Sequence, residues 1–484
     1  MSFNSLDYLL FLTLALCGYW WLLKHHALRL TFMVVASCVF YMAWDAHYIV
    51  LLLGATVFDY AIGLGLGALH EKREARGDDP RLERGRKLLL WTSVVVNLGL
   101  LGAFKYYNFF VTATADVLSV VGLHVKPALL DVILPVGISF YTFETLSYTI
   151  DVYRGHAKPT RNFLHFAFFV TFFPHLVAGP IVRPSKLMPQ LEGTPQLLPG
   201  AASEGLFLIA LGMIKKVVFA DYLAINLIDR VFDTPSAFTS VEVMLALYGY
   251  TMQIYCDFSG YTDVARGSAK LFAIELPENF DRPYQATSPA EFWRRWHMTL
   301  STWLRDYLYF PLGGSRVAPA RAYFNLGLTI FLIGLWHGAA WTFIVYGSLQ
   351  ATAMMIHRYF YRRSGRTDDT VDPFWLHALK IIGTLHFVVL SRVFFRAQDM
   401  SNAGEMFGGL LEGSTGTAQL PWHVLLVLVL GFAAHYTPRS WLEAVRLRFV
   451  GLNAPAQGLV LAGVGACLML VASGEVVPYI YFQF

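Results

Sequence analysis

Two histidines stand where a titratable ring is costly to keep. His337 sits in Gly334-Leu335-Trp336-His337-Gly338-Ala339-Ala340-Trp341, within a stretch from Ala322 to Ile356 that holds no Asp, Glu, Lys or Arg. At bilayer depth such a ring is a functional candidate by default, because polar groups there cost free energy unless they are paired or face a cavity. His297 lies 40 residues earlier (337 − 297), in Glu291-Phe-Trp-Arg-Arg-Trp-His-Met-Thr-Leu300, at the head of an aromatic and basic stretch that runs on to Phe310. Imidazole has an unperturbed pKa of about 6.5, which suits a base that takes a proton from a hydroxyl near neutral pH. Both rings are expected to line one buried reaction chamber.

The elements that must position them are membrane helices. The chain is 56% hydrophobic and 15% aromatic but only 14% charged, with a mean hydropathy of +0.49. Soluble domains carry about 25% charged residues, so this composition belongs in a bilayer. Apolar runs recur at Tyr8 to Leu23, Tyr48 to Leu69 (interrupted by Asp59), Leu88 to Phe104, Phe163 to Val182, Ala322 to Ile356, Val424 to Ala434 and Leu459 to Val471. At roughly 20 residues per crossing, they predict an all-α polytopic protein of about ten to twelve spanning helices, some short or broken. Residues 1–484 are expected to form one polytopic domain.

The first apolar run lacks a basic segment before it, since Lys24, His25, His26 and Arg29 follow it. It reads as a retained helix whose C-terminal end faces the cytoplasm. His70 to Lys87 and the trio Arg154, Lys158 and Arg161 are dense in basic residues, which places both loops in the cytoplasm. Cys17, Cys38, Cys256 and Cys467 show no paired spacing, so neither a disulfide framework nor a metal site is indicated.

Residues 134–347 differ from their flanks, because Pro, Gly and charges break the apolar runs there. Examples are Leu134-Pro-Val-Gly-Ile-Ser-Phe-Tyr-Thr-Phe-Glu144 and Phe173-Pro-His-Leu-Val-Ala-Gly-Pro-Ile-Val-Arg-Pro184. Irregular backbone at membrane depth is tolerated only where protein or a water-filled cavity surrounds it, so this third is expected to hold the catalytic core. Leu411 to Phe484 reads mainly as supporting helices. Within Glu291 to Phe310, Phe292, Trp296, Thr299, Trp303 and Tyr307 share one face at helical spacing, the pattern of a helix at the membrane interface.

Several stretches together resemble the membrane-bound O-acyltransferase family, in its bacterial branch that O-acetylates exopolysaccharides. They are Leu134 to Gly155, Phe173 to Arg183, Asp257-Phe-Ser-Gly-Tyr-Thr-Asp263, Phe292-Trp-Arg-Arg-Trp-His297 continuing through Ser301 to Leu308 and Pro311-Leu-Gly-Gly314. Trp336-His-Gly-Ala339, Val393-Phe-Phe-Arg-Ala397 and Tyr481-Phe-Gln-Phe484 complete the set. The resemblance implies a ring of transmembrane helices around a central tunnel, with short interfacial and re-entrant helices. It implies His337 as the catalytic histidine and His297 as its second polar residue.

Acyl transfer from a thioester to a hydroxyl needs a base and stabilisation of an oxyanion. Trp296 and Trp336 each precede a candidate histidine and would shape the tunnel or pack beside it. Asp257 and Asp263 would line an acyl-donor path or pair with a nearby Arg, and His175 and Arg183 invite the same two readings. Donor phosphates would need cations, for which Arg183, Lys186, Arg294 and Arg295 are available; the competing role is anchoring at the membrane interface. No Gly-x-Ser-x-Gly elbow, Walker loop or His-Glu-x-x-His pair occurs, and nothing favours nucleic-acid binding.

The resemblance therefore implies an inner-membrane O-acetyltransferase fed by acetyl-CoA. It also implies a periplasmic or membrane-anchored acetyltransferase partner that passes the group to a glycan. Two rivals predict different chemistry: a D-alanyl transferase drawing on an acyl carrier protein, and a proton-coupled transporter or scaffold, since buried histidines also serve proton relays.

Overall fold

In a computed structural model, residues 1–77, 79–365, 372–472 and 477–482 are described, and every regular element among them is helical. Four helices are long and apolar enough to cross a membrane: Ala46–Arg76, Pro80–Val120, Phe374–Arg396 and Ala454–Val471. Leu6–Trp21, His26–Met42 and Trp422–Tyr436 are shorter apolar helices. In Ala454–Val471 only Gln457 is buried inside the protein, and Leu459, Met469 and Leu470 stand 76%, 73% and 87% exposed. An outward surface so apolar is matched by lipid, which makes this a membrane protein.

The described residues form two compact units, one of residues 1–205 with 265–277 and one of residues 206–264 with 278–484.

In the first unit, Asp59 explains how a carboxyl group survives inside an apolar run. It accepts from Ser93 Oγ at 2.6 Å, Asn97 Nδ2 at 2.8 Å and Thr149 Oγ1 at 3.4 Å, which ties together the helices Ile49–Arg76, Pro80–Leu101 and Ile138–Arg154. Hydrogen bonds of this kind between membrane helices contribute about 0.6–2 kcal/mol each. The basic stretch His70 to Lys87, expected as a loop, is instead mostly the ends of two of these helices. Its Glu, Lys, Arg and Ala are good helix formers, and the turn is confined to Gly77, at φ 83°, and Asp79, whose side chain caps the next helix.

The run Phe163 to Val182 is likewise not one helix. It breaks after Phe163–Thr171, resumes as the four-residue Phe173–Leu176 with Pro174 in its first turn, and stays buried throughout the irregular part that follows. Gly137, at φ 79°, lies so near this break that a Cβ would stand 2.8 Å from the Leu176 carbonyl oxygen, so the two proline-broken segments meet backbone to backbone.

In the second unit, the uncharged stretch Ala322 to Ile356 divides into the helices Pro319–His337 and Trp341–Arg363, and the break falls immediately after the candidate histidine. The segment from Glu291 to Phe310 departs from the single interfacial helix expected of it. It forms two seven-residue helices, Pro289–Arg295 and Met298–Leu304, followed by a π-helical turn Arg305–Tyr309. His297 is the joint, in the left-handed region at φ 44° and ψ 54°. A non-glycine residue there carries strain of about 1–3 kcal/mol and persists only where its surroundings hold it.

Candidate active site

His337 ends its helix because the next residue, Gly338, is extended and the Phe343 ring closes over it. A Cβ at 338 would come within 2.1 Å of that ring, so only glycine allows the packing. The imidazole is 2% exposed, with the rings of Phe395, Trp336 and Tyr346 at centroid distances of 4.9, 5.0 and 6.4 Å. Its Nδ1 lies 3.4 Å from the Tyr481 hydroxyl.

His297 is held by a residue 18 positions before it. Asn279 Oδ1 stands 3.1 Å from His297 Nδ1 and accepts from the Thr299 backbone N–H at 3.2 Å and the Thr299 hydroxyl at 2.9 Å. A backbone N–H can only donate, so the Asn279 atom is the amide oxygen and His297 Nδ1 must carry the hydrogen. The neutral ring then bears its lone pair on Nε2. Complete burial pushes this imidazole down to about 3, so the neutral form prevails at physiological pH. His297 lies in the joint between two short helices, outside the four spanning helices.

The two imidazoles share an aromatic enclosure. His297 and His337 stand 5.7 and 5.0 Å from the Trp336 ring, and 6.3 and 5.9 Å from the Tyr481 ring. Tyr481 in turn packs 3.9 Å from Phe258, centroid to centroid. The expectation that Leu411 to Phe484 mainly supports the fold fails at Tyr481, although the residue belongs to the motif Tyr481-Phe-Gln-Phe484. Gln483 and Phe484 of that motif lie outside the described residues.

Trp296 is buried beneath a cation. The Arg392 guanidinium lies 4.4 Å from its ring and donates to the Tyr284 hydroxyl at 2.7 Å and the Thr251 carbonyl at 3.0 Å. Arg392 is 2% exposed and has no carboxylate partner among the described residues.

Asp257 and Asp263 are paired with consecutive lysines rather than with an Arg. Asp263 Oδ2 is 2.6 Å from Lys215 Nζ, and Asp257 Oδ1 is 2.8 Å from Lys216 Nζ. Lys216 also meets Asp221 at 2.7 Å, a contact made by the π-helical segment Lys215–Asp221, whose wider turn brings residues five apart together. The same lysine donates to the Pro478 carbonyl at 3.2 Å, and Asp257 Oδ2 accepts from the Ile480 backbone N–H at 2.8 Å. This clasp fixes the segment that carries Tyr481.

The remaining predicted residues make other contacts. Arg295 pairs with Glu291 at 2.7 Å, while Arg294 is exposed. His175 and Arg183 belong to the first unit. There the His175 Nε2–H is shared between the Phe169 carbonyl at 3.0 Å and Glu144 Oε2 at 3.3 Å, and Arg183 is half-buried at the start of the helix Pro184–Leu187.

Beside the enclosure is a cavity of about 520 Å³, walled on one side by Phe343 and Phe395 and reaching Asp257 and Lys216. Phe395 therefore stands between this space and His337.

Membrane helices around a buried imidazole pair, with one ring at a glycine break, define a class, and the sequence confirms it over residues 5–396: the chain belongs to the membrane-bound O-acyltransferase family. It is an O-acyltransferase. The chain is 40% identical over 422 residues to "Probable alginate O-acetylase AlgI" of Pseudomonas aeruginosa PAO1, covering 87% of this chain and 76% of that one. It is 35% identical over 405 residues to a peptidoglycan O-acetyltransferase of Helicobacter pylori, covering 78% and 73%. Similarity to a teichoic acid D-alanyltransferase of Bacillus subtilis is 30% over 268 residues, covering 52% and 66%.

Proposed function

We propose that this enzyme moves an acetyl group from acetyl-CoA on the cytoplasmic side of a bacterial inner membrane to a hydroxyl on the other side, for O-acetylation of an exopolysaccharide or cell-wall glycan. Relatives named for alginate and peptidoglycan O-acetylation match most of the chain, whereas the D-alanyltransferase match covers about half of it. The observation that carries the reading is the convergence of His297 and His337 on Trp336 and Tyr481.

In this reading His337 takes the proton of the acceptor hydroxyl as its oxygen attacks the thioester carbonyl. The tetrahedral oxyanion collapses, the C–S bond breaks, and the departing CoA sulfur takes the proton back from His337. One ester and one thiol result. His297, held by Asn279 as the Nε2 base, orients the acceptor or the carbonyl. A positioned general base contributes about 10²- to 10⁴-fold to such a step. A periplasmic or membrane-anchored acetyltransferase partner completes delivery to the glycan. We assign the chain about ten to twelve crossings, because helices such as Pro319–His337 and Trp341–Arg363 are long enough to cross but carry buried polar groups.

Purified enzyme in proteoliposomes, supplied with acetyl-CoA outside and glycan inside, tests the donor. CoA release coupled to ester formation is expected. Inertness toward acetyl-CoA with activity toward a D-alanyl-loaded carrier protein would replace the donor, and proton-dependent flux without ester would replace the reaction.

A further inference from the structure

Attack on a thioester carbonyl leaves a negative charge on its oxygen until the intermediate collapses, and acyl transfer is fast only where positioned donors meet that charge. In the second unit, Arg392 is the reverse case, a charge with no counter-ion: it is buried, and no carboxylate among the described residues pairs with it. Taking a guanidinium out of water is costly, and it cannot shed its proton to escape the cost. A lone cation inside a membrane protein is therefore a functional candidate by default.

Everything that holds Arg392 is neutral. The Trp296 and Tyr284 ring centroids lie 4.4 and 5.4 Å from the guanidinium carbon, a cation–π setting that accommodates the charge without cancelling it. The hydrogen bonds to the Tyr284 hydroxyl and the Thr251 carbonyl both come from Nη1. A guanidinium has five N–H donors, so the three on Nε and Nη2 make no hydrogen bond to the described residues. Neither acceptor depends on the arginine, because the Tyr284 hydroxyl already donates to the Thr251 carbonyl at 2.6 Å. Bracing thus explains little of this side chain, and the unused donors point to an anion.

Arg392 also stands where such an anion would form. It lies one helical turn before Phe395, whose ring packs 4.9 Å from the His337 ring, and Trp296, on which it rests, is followed in the chain by His297. Its charge acts on the Tyr481 hydroxyl, which lies 3.4 Å from His337 Nδ1. The side is that of the donor. Arg358, Arg362 and Arg363 close the helix Trp341–Arg363, an end that the positive-inside rule turns toward the cytoplasm, and Phe374–Arg396 runs back from there, so Arg392 lies on the cytoplasmic side of Phe395.

We propose that Arg392 is the oxyanion donor of the reaction: its unused N–H groups bond the thioester carbonyl oxygen as the acceptor oxygen adds to the carbon, and they hold the negative charge through the tetrahedral intermediate. The bond loosens when the C=O bond re-forms and the C–S bond breaks. The proton passes from the acceptor hydroxyl to His337 and on to the sulfur, so the guanidinium gives up none. This role rests on the acyl-transfer reading and adds to it the group that meets the developing charge.

Inverted inner-membrane vesicles that retain the glycan and the partner, supplied with radiolabelled acetyl-CoA, test it, with ester counted per enzyme molecule. Arg392→Met should lower kcat by about 10²- to 10³-fold, as when an oxyanion donor is lost. The KM for acetyl-CoA should stay within about threefold, because the lost contact is made only in the transition state. The thermal midpoint of the purified full-length variant in detergent should be unchanged or higher, since a buried charge without a counter-ion is removed and no partner is orphaned. Arg392→Lys, which keeps the charge without the planar fork, should recover about tenfold of the loss. Transfer by Arg392→Met within about threefold of wild type would overturn the role. So would a loss that comes with a lowered midpoint and is as deep in Arg392→Lys, the mark of a brace. Wild-type vesicles that form no labelled ester from acetyl-CoA would instead remove the acyl-transfer reading beneath it, and the oxyanion role with it.

Discussion

Both units bury histidine, and they hold it in opposite ways. In the first unit, His175 is fixed by a carboxylate and a carbonyl, Glu144 and Phe169, and the other Glu144 oxygen accepts from the Val182 backbone N–H at 3.2 Å. Each contact binds one proline-broken segment to a neighbouring helix, which is a bracing role. In the second unit, His297 and His337 are enclosed by aromatic rings, with an amide oxygen on one and a phenol beside the other. Burial holds the His297 imidazole neutral, the form that can accept a proton. Burial alone therefore does not mark a reactive histidine; the nature of its partners does.

The comparison breaks most visibly at His337. Replacing it with Ala should lower acetyl transfer by about 10²- to 10⁴-fold, read as ester formed per folded molecule in proteoliposomes. Next in size is Lys216→Met, which leaves buried Asp257 and Asp221 without their shared cation. Breaking a buried pair in this way costs about 3–5 kcal/mol, and the released 477–481 segment should take activity with it. A lowered thermal midpoint that Lys216→Arg partly restores is the expected signature.

A sharper version concerns Asn279, whose amide oxygen holds His297 and Thr299. Asn279→Leu removes the acceptor that fixes the His297 hydrogen on Nδ1, and kcat should fall by roughly 10- to 100-fold, as when an orienting partner of a histidine is lost. In the first unit the expectation reverses. Glu144→Gln should cost about 1–3 kcal/mol of stability while leaving transfer per folded molecule within about twofold.

The smallest effect is on pH dependence. The folded His297 titrates at about 3 and an unfolded histidine at about 6.5, so between these values the unfolded chain binds the extra proton. Stability should therefore fall as pH drops below about 6.5, and this component should vanish in His297→Gln. By the same reasoning, the pH profile of transfer between 5 and 8 should owe no inflection to His297.

Much of this comparison was legible in the chain. Apolar runs mark most of the membrane helices, and its uncharged surroundings in the sequence single out His337. The break after His337 falls inside a run that the sequence presents as continuous. Other features were hidden because they depend on contacts distant in sequence or on backbone outside the usual 3.6-residue repeat. The Glu291 to Phe310 pattern reads as one helix because side-chain type repeats at helical spacing, while the turn at His297 is held by Asn279 from another segment. Lys216 and Asp221 meet only through π-helical spacing. Tyr481 is one aromatic among many until Lys216 and Asp257 bring its segment to His337.

The central claim, that the second unit's histidines do chemistry and the first unit's histidine braces structure, is tested most directly in cells. O-acetyl ester would be measured in the extracellular and cell-wall glycans of strains carrying wild type, His337→Ala or Glu144→Gln, normalised to enzyme in the membrane. Ester lost with His337→Ala and kept with Glu144→Gln is the predicted result. Ester unchanged in every fraction of the His337→Ala strain, with the variant present at wild-type level, would contradict it.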